Sequence, residues 1–186
     1  MIGVLALQGD FEAHQRAFDE IGAATRQVRT AADLAAVDAL VLPGGESTTM
    51  LKLLGIESLT EPLRRFGEAK PIFATCAGAI LLAREVSHPA QHSLGLVDIG
   101  VERNAYGRQV HSAVARIGLE DGAGDMEAVF IRAPVIRRCG PGVKVLARHQ
   151  GDPVLVESGR HLVATCHPEL SADRAIQRRF LTSVTR

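Results

Sequence analysis

A cysteine at the end of an apolar strand, a histidine at the end of another and a carboxylate two residues later make the chemistry-bearing set of this chain. Pro71-Ile72-Phe73-Ala74-Thr75-Cys76-Ala77-Gly78-Ala79-Ile80-Leu81-Leu82-Ala83 starts as an apolar run of strand length and switches at Cys76 to a small-residue, then aliphatic, helical pattern. A cysteine in such a strand-to-helix turn is pushed out of the end of the sheet, beside the N–H groups of a helix N-terminus. Those groups and the helix dipole favour a thiolate and can hold a developing oxyanion. The pattern is the cysteine form of the nucleophile elbow, Gly-x-Cys-x-Gly, with Ala74 in place of the first glycine. The competing reading is a small buried cysteine that opens a core helix.

A thiol needs a base, and the base needs an orienting group. The chain has seven histidines, so position must choose among them. Leu162-Val163-Ala164-Thr165-Cys166 reads as a strand, and His167-Pro168-Glu169 follows it directly. That places His167 at a strand end, with Glu169 able to turn back and hold one imidazole tautomer. Here the competing reading is a loop histidine, with Glu169 complementing a helix dipole. Cys166 is a rival thiol, but it lies on the strand and reads as packing. A third component is Pro43-Gly44-Gly45-Glu46-Ser47, whose paired glycines let backbone N–H groups approach a substrate carbonyl. With the Ala77 N–H, that loop could form an oxyanion hole; it could equally be a tight turn before a helix capped by Ser47. It matches neither phosphate-binding glycine pattern. No set of His, Cys, Asp and Glu has defensible metal spacing.

The elements that must position these groups alternate through the first half. Ile2 to Leu7 reads as a buried parallel strand, and Phe11, His14, Phe18 and Ile21 recur at helical spacing up to a C-cap position at Gly22. Thr25 to Val28, a short helical segment from Thr30 to Val37, and the strand Asp38 to Leu42 follow. Helical patterns then run from Met50 and over Ser58 to Gly67. Strand and helix in alternation predict a doubly wound, mostly parallel α/β sheet of flavodoxin-like type, in which ligands sit at the carboxyl ends of the strands. The Gln8 turn, the Pro43–Ser47 loop and Cys76 all fall at such ends. The second half changes to short strands between turns, at Val97–Glu102, Ala113–Ile117, Ala128–Ile131, Val143–Ala147, Val154–Glu157 and Leu162–Thr165, which predicts an antiparallel extension of the sheet. A last helix is expected to start from Ser171 as its N-cap.

Composition narrows the function. Lys plus Arg and Asp plus Glu both total 21, so no electrostatic case exists for a nucleic-acid or anionic-membrane partner. The run from Arg132 to Arg138 reads as a solvated strand edge. No apolar run approaches the ~20 residues of a membrane span. The N-terminal stretch lacks a basic n-region and reads as a core strand rather than a signal peptide. Three cysteines (Cys76, Cys139, Cys166) give no disulfide framework, so the expected location is cytoplasmic. At 186 residues with 46% hydrophobic content, residues 1–186 are expected to form one domain.

With these pieces in place the sequence resembles the class I (triad) glutamine amidotransferases, and within them the glutaminase subunits of pyridoxal 5′-phosphate synthase. The resemblance rests on Gly3-Val4-Leu5-Ala6-Leu7-Gln8-Gly9-Asp10-Phe11, Leu42-Pro43-Gly44-Gly45-Glu46-Ser47-Thr48 and Thr75-Cys76-Ala77-Gly78. It also rests on Arg103-Asn104-Ala105-Tyr106-Gly107-Arg108-Gln109, Phe130-Ile131-Arg132-Ala133-Pro134 and His167-Pro168-Glu169-Leu170. It implies hydrolysis of L-glutamine to glutamate and ammonia, with the ammonia passing to a separate barrel-shaped synthase subunit, and it implies no cofactor in this chain. It further implies Cys76 as nucleophile, His167 as base and then acid, Glu169 as orienting carboxylate, and Gly45 and Ala77 as the oxyanion region. Substrate contacts are implied at Gly45, Glu46, Ser47, Arg103, Ile131 and Arg132, an arginine fork being a natural partner for an α-carboxylate. Because free activity would waste ammonia, the glycine loop is expected to be fully arranged only with the synthase docked.

Ala74 for glycine, Cys166 where an aromatic residue is expected, and the unusual stretch from Ser87 to Ser93 depart from that family pattern. Three alternatives stay open at this point. One is the glutaminase of another pathway, such as imidazole glycerol phosphate synthesis, and one is a cysteine hydrolase or chaperone of the intracellular-protease type. The third is a catalytically silent binding subunit on the same fold.

Overall fold

The computed structural model describes residues 1–105 and 112–184. In chain order the first half runs β1 (Ile2–Leu5), α1 (Phe11–Asp19), β2 (Thr25–Val28), α2 (Ala31–Ala35), β3 (Ala39–Leu42), α3 (Ser47–Ile56), α4 (Thr60–Ala69), β4 (Ile72–Thr75) and α5 (Ala77–Leu82). The second half gives β5 (Ala83–Ser87), β6 (Val97–Glu102), β7 (Ser112–Gly118), β8 (Asp125–Ile131), β9 (Val135–Cys139), β10 (Val143–His149), β11 (Asp152–Ser158) and β12 (His161–Ala164). A 3₁₀ turn at Pro168–Leu170 and α6 (Ala175–Val184) complete the described chain.

The main sheet has seven strands in the order β10-β11-β12-β4-β3-β1-β2. Strands β2, β1, β3, β4 and β12 pair in parallel, while β11 pairs antiparallel with both β12 and β10. The 2-1-3-4 order followed by one more parallel strand is the flavodoxin-like winding. The central strands β1, β3, β4 and β12 are buried throughout, as strands covered on both faces are. In β3 and β4 the period-2 alternation still sorts side chains: Leu40, Leu42, Ile72 and Ala74 enter one core, and Ala39, Val41 and Phe73 enter the other. In the second core Phe180 meets Phe18 edge to face and Phe73 at a tilt, which brings α1 and α6 onto one face.

The antiparallel extension is β10 and β11. The other late strands leave the main sheet: β5, β6 and β9 form a three-stranded sheet, and β7 pairs with β8 as a ribbon. β5 and β9 are additional to the expected strands. β9 carries the outer end of the Arg132–Arg138 run at a charged edge, where Arg137 donates to Glu102 and Arg138 to Asp98.

Several boundaries differ for local reasons. α3 begins at Ser47 rather than Met50, because Glu46 is its N-cap: its carboxylate accepts from Thr48 N at 3.0 Å and Thr49 N at 2.7 Å. α6 begins at Ala175, not after Ser171. The Ser171 hydroxyl donates to Glu127 and accepts from Asp173 N, and Asp173 accepts from Ala175 N at 2.8 Å. α1 ends at Asp19 with Glu20 as its C-cap; Gly22, the expected C-cap, lies two residues beyond it in the turn, at φ +77°.

Among the described residues, no helix is long and apolar enough to cross a membrane.

Candidate active site

β4 lies between β3 and β12, so the segments that follow these three strands emerge side by side at one edge of the sheet. Leu42 pairs with Ala74, and Thr75 pairs with Ala164, so the three carboxyl ends are level. Cys76 follows directly, and its N–H donates to Ala164 O at 2.9 Å. The turn is carried by Cys76 itself, at φ +46° and ψ −104°. A non-glycine residue held there stores of order 1–3 kcal/mol of strain, as nucleophile elbows do. Ala74 therefore needs no glycine freedom: it is extended strand, fully buried in the core.

Gly78 is fixed by packing. A Cβ there would lie 2.4 Å from the Leu42 carbonyl oxygen, so the glycine lets α5 approach β3 closely enough to seat Cys76 beside the glycine loop. Every residue of α5 is buried. Ala77 is its first residue, and the first N–H groups of a helix have no acceptor within it.

His167 is delivered by the end of β12 and pinned by its own N–H, which donates to Val129 O in β8 at 2.8 Å. Its Nδ1 donates to Glu169 Oε1 at 2.7 Å, and Cys76 stands beside the ring at the same cleft. Burial works to lower the His167 pKa, but the neighbouring Cys76 and Glu169 outweigh it and push the value up to about 10. Burial likewise works to raise Glu169, and the facing His14 and His167 hold its carboxyl below the usual carboxylate range. A thiol, an imidazole beside it and a carboxylate bonded to that imidazole thus stand together, an arrangement that can support covalent acyl transfer. Cys166 stands apart: it is fully buried, and burial pushes its thiol up to about 12.

In front of Cys76 and His167 lies a cleft of about 380 Å³ lined by Gly45, Glu46, Ser47, Ile80, Arg103, Asn104, Ile131, Arg132 and Pro134. All the expected substrate contacts therefore border one space. Gly45 has φ +135°, and Glu46 N donates to Gln8 Oε1 at 3.2 Å. Glu46 uses its carboxylate as the α3 cap, and those hydrogen bonds, against the opposing effect of burial, lower its pKa to about 2. The Ser47 hydroxyl donates to Gln91 Oε1 at 2.9 Å. Arg103 sends Nη2 to Thr48 Oγ1 at 3.0 Å, with Glu46 Oε1 at 3.5 Å. Arg132 is held at φ +46°. The Tyr106-Gly107-Arg108-Gln109 end of the Arg103 motif lies outside the described residues. Among the described residues, no group of three His, Cys, Asp or Glu side chains could hold a metal ion.

The profile of the SNO glutamine amidotransferase family matches residues 4–186. The chain belongs to the SNO glutamine amidotransferase family. It is 54% identical over 189 residues to the pyridoxal 5′-phosphate synthase subunit PdxT of Solibacter usitatus, covering 98% of each chain. It is 50% identical to the subunit of the same name from Thermus thermophilus, covering 97% of this chain and 96% of that one. A crystal structure of a glutamine amidotransferase aligns at a TM-score of 0.93 and 45% identity, over 100% of this chain and 99% of that one.

Three residues of this amidotransferase's site carried no signal of their own in the sequence. Gly44 packs directly on the His167 ring, where a Cβ would lie 2.4 Å from Cε1; the paired-glycine motif pointed to the loop but not to this contact. Gln91, within the unusual Ser87–Ser93 stretch, ties that loop to Ser47 and Thr48. His14 sits behind Glu169, and in the sequence it merges into the apolar stripe of α1.

Proposed function

We propose that this chain is the glutaminase subunit of a pyridoxal 5′-phosphate synthase, with residues 1–186 acting as one glutaminase domain in the cytoplasm. The observation that carries the reading is the buried cluster of Cys76, His167 and Glu169, joined by the His167–Glu169 hydrogen bond at 2.7 Å, at a cleft that Cys76, His167 and Gly45 line together.

L-Glutamine lies in the cleft with its side-chain amide at Cys76. Arg103 and the Ile131-Arg132 segment receive its amino-acid end, together with the Gly45-Glu46-Ser47 backbone. With the thiol proton already held on His167, as its raised pKa requires, Cys76 Sγ attacks the amide carbon. The tetrahedral oxyanion is held by the Gly45 and Ala77 N–H region, a type of contact whose loss costs about 10²–10³-fold in rate. His167 returns the proton to the departing nitrogen, ammonia leaves, and a γ-glutamyl thioester remains on Cys76. Water then attacks the thioester carbon while His167 accepts its proton. The C–S bond breaks, the sulfur leaves as a thiolate beside the protonated His167, and glutamate is released. Positioned acid–base help of this kind is typically worth about 10²–10⁴-fold. Glu169 keeps the proton-bearing Nδ1 turned inward, so that Nε2 faces the sulfur.

Ammonia passes to the barrel-shaped synthase subunit, the heteromeric partner. The Gln8-Gly9-Asp10 turn, whose Gln8 side chain accepts from the Glu46 N–H of the glycine loop, and α1 after it are the docking side. A Cβ at Gly9 would lie 1.9 Å from Gly44 O, so a partner pressing on that turn acts on the glycine loop. The test is labelling with a glutamine-mimicking electrophile: a single adduct on Cys76, prevented by excess L-glutamine, is expected. No adduct with the partner present would return the chain to the silent-subunit reading.

A further inference from the structure

We infer that His14 is a positioning residue: from α1 it holds the Glu169 carboxylate, and through it the His167 imidazole, and ties both to the strand end that carries Cys76. This rests on the triad reading above and adds a residue to it.

His14 is fully buried. Its Nε2 lies 3.4 Å from Glu169 Oε1 and 3.1 Å from Thr75 Oγ1. The same Oε1 takes the His167 Nδ1 bond at 2.7 Å. One carboxylate oxygen therefore faces two imidazoles from opposite elements, and Thr75 is the residue immediately before the nucleophile. Glu169 Oε2 has no hydrogen-bond partner among the described residues, so no contact there fixes the carboxylate plane. A carboxylate held by His167 alone could swing about its terminal torsion, which is broad and soft. His14 supplies the second point of contact.

The proton assignment follows from the same geometry. Burial lowers the His14 pKa against the opposing pull of Glu169, so the ring is neutral at neutral pH and has one N–H. An ionised carboxylate only accepts hydrogen bonds. A lone pair on Nε2 would face that anion, whereas a proton there is attracted to it. His14 Nδ1 has no partner among the described residues, which again suits a lone pair better than a buried, unpaired N–H. The Phe73 ring meets the imidazole edge-on at a centroid distance of 6.2 Å and backs its orientation. A space-filling residue at this point of the α1 stripe would be aliphatic or aromatic, without the cost of burying an imidazole.

The test uses this chain assembled with a pyridoxal phosphate synthase subunit, measuring glutamate release by wild type, Cys76→Ala, His14→Leu and His14→Gln. Contacts that orient a catalytic histidine from behind are worth about 10–100-fold, so His14→Leu should lose that much kcat with KM within about twofold. His14→Gln places an amide N–H near the Nε2 position and should recover kcat to within about threefold of wild type. Unchanged kcat in His14→Leu, or equal losses in both variants, overturns the inference. Should His14→Leu fail to fold, ¹⁵N NMR of the wild-type imidazole decides: a neutral Nε2–H tautomer is expected, and an Nδ1–H tautomer overturns it. An inactive wild type, or an active Cys76→Ala, would instead overturn the glutaminase reading itself.

Discussion

Gly44 lies against the ring of His167, so close that a Cβ at position 44 would sit 2.4 Å from His167 Cε1 and 3.3 Å from the Cys76 Cβ. The backbone of the loop, with no side chain between, is the wall on which the proposed general base rests. Gly44 does not have a positive φ, so the requirement is one of space. Gly44→Ala should displace the imidazole by a few tenths of an ångström to an ångström and lower kcat by about 10²-fold, the usual cost of misplacing a catalytic group by that much. Thermal unfolding measured beside glutamate release checks it: an active, equally stable Gly44→Ala would remove this account of the loop.

Against burial, which lowers the His167 pKa, Cys76 and Glu169 make the contributions that raise it. In Cys76→Ala the Cys76 share vanishes while burial remains. The His167 imidazole should therefore titrate near pH 10 in wild type and markedly lower in Cys76→Ala. Following its ring resonances by NMR across pH 5–11 gives the sign directly.

The two buried thiols should separate cleanly. Cys76 lines the cleft, whereas Cys166 is fully enclosed and burial pushes it up to about 12. A thiolate is the reactive form, so iodoacetamide at neutral pH should alkylate Cys76 and leave Cys166 untouched in the folded chain. Cys166→Ala should retain activity to within about threefold. Mass spectrometry of the alkylated protein and an assay of the variant check both.

His161 makes acid stability testable. It is buried, its Nδ1 accepts the Ile72 N–H at 3.3 Å, and burial, with Arg160 beside it, pulls its pKa down to about 4. A lowered folded pKa means that the unfolded chain binds the extra proton first. The contribution is thus present above the unfolded value of about 6.5 and is lost as pH falls towards about 4. Between pH 7 and 4.5 that loss is about 2 kcal/mol. Burial lowers His14 in the same direction. His161→Asn keeps an acceptor without the titration, so denaturant unfolding at the two pH values should show a smaller drop for that variant than for wild type.

Cys76, His167 and Glu169 were legible because each follows a strong pattern: an apolar run that ends abruptly, with chemistry-bearing residues at the break. Strand alternation also placed the three loops at carboxyl ends, and the parallel pairing of β3, β4 and β12 makes those ends adjacent. What remained illegible depends on contacts between segments far apart in the chain. His14 has the spacing of a core residue, and only the packing of α1 against the 3₁₀ turn reveals its polar partners. Glu46 was expected at the substrate and does line the cleft, but the use of its carboxylate on the first turn of α3 was not read. Ser171 looked like a cap, but Glu127 on a distant strand engages its hydroxyl. β5 was missed because Arg84 and Glu85 interrupt its apolar pattern and it continues directly from α5.

The most direct measurement is glutamate release from L-glutamine by the purified chain, alone and with a pyridoxal phosphate synthase subunit, with Cys76→Ala assayed in parallel. Turnover that rises steeply on adding the partner and vanishes in Cys76→Ala is the predicted result. Equal turnover with and without the partner would contradict arrangement of the loop by docking, and no turnover in any combination would contradict the glutaminase assignment.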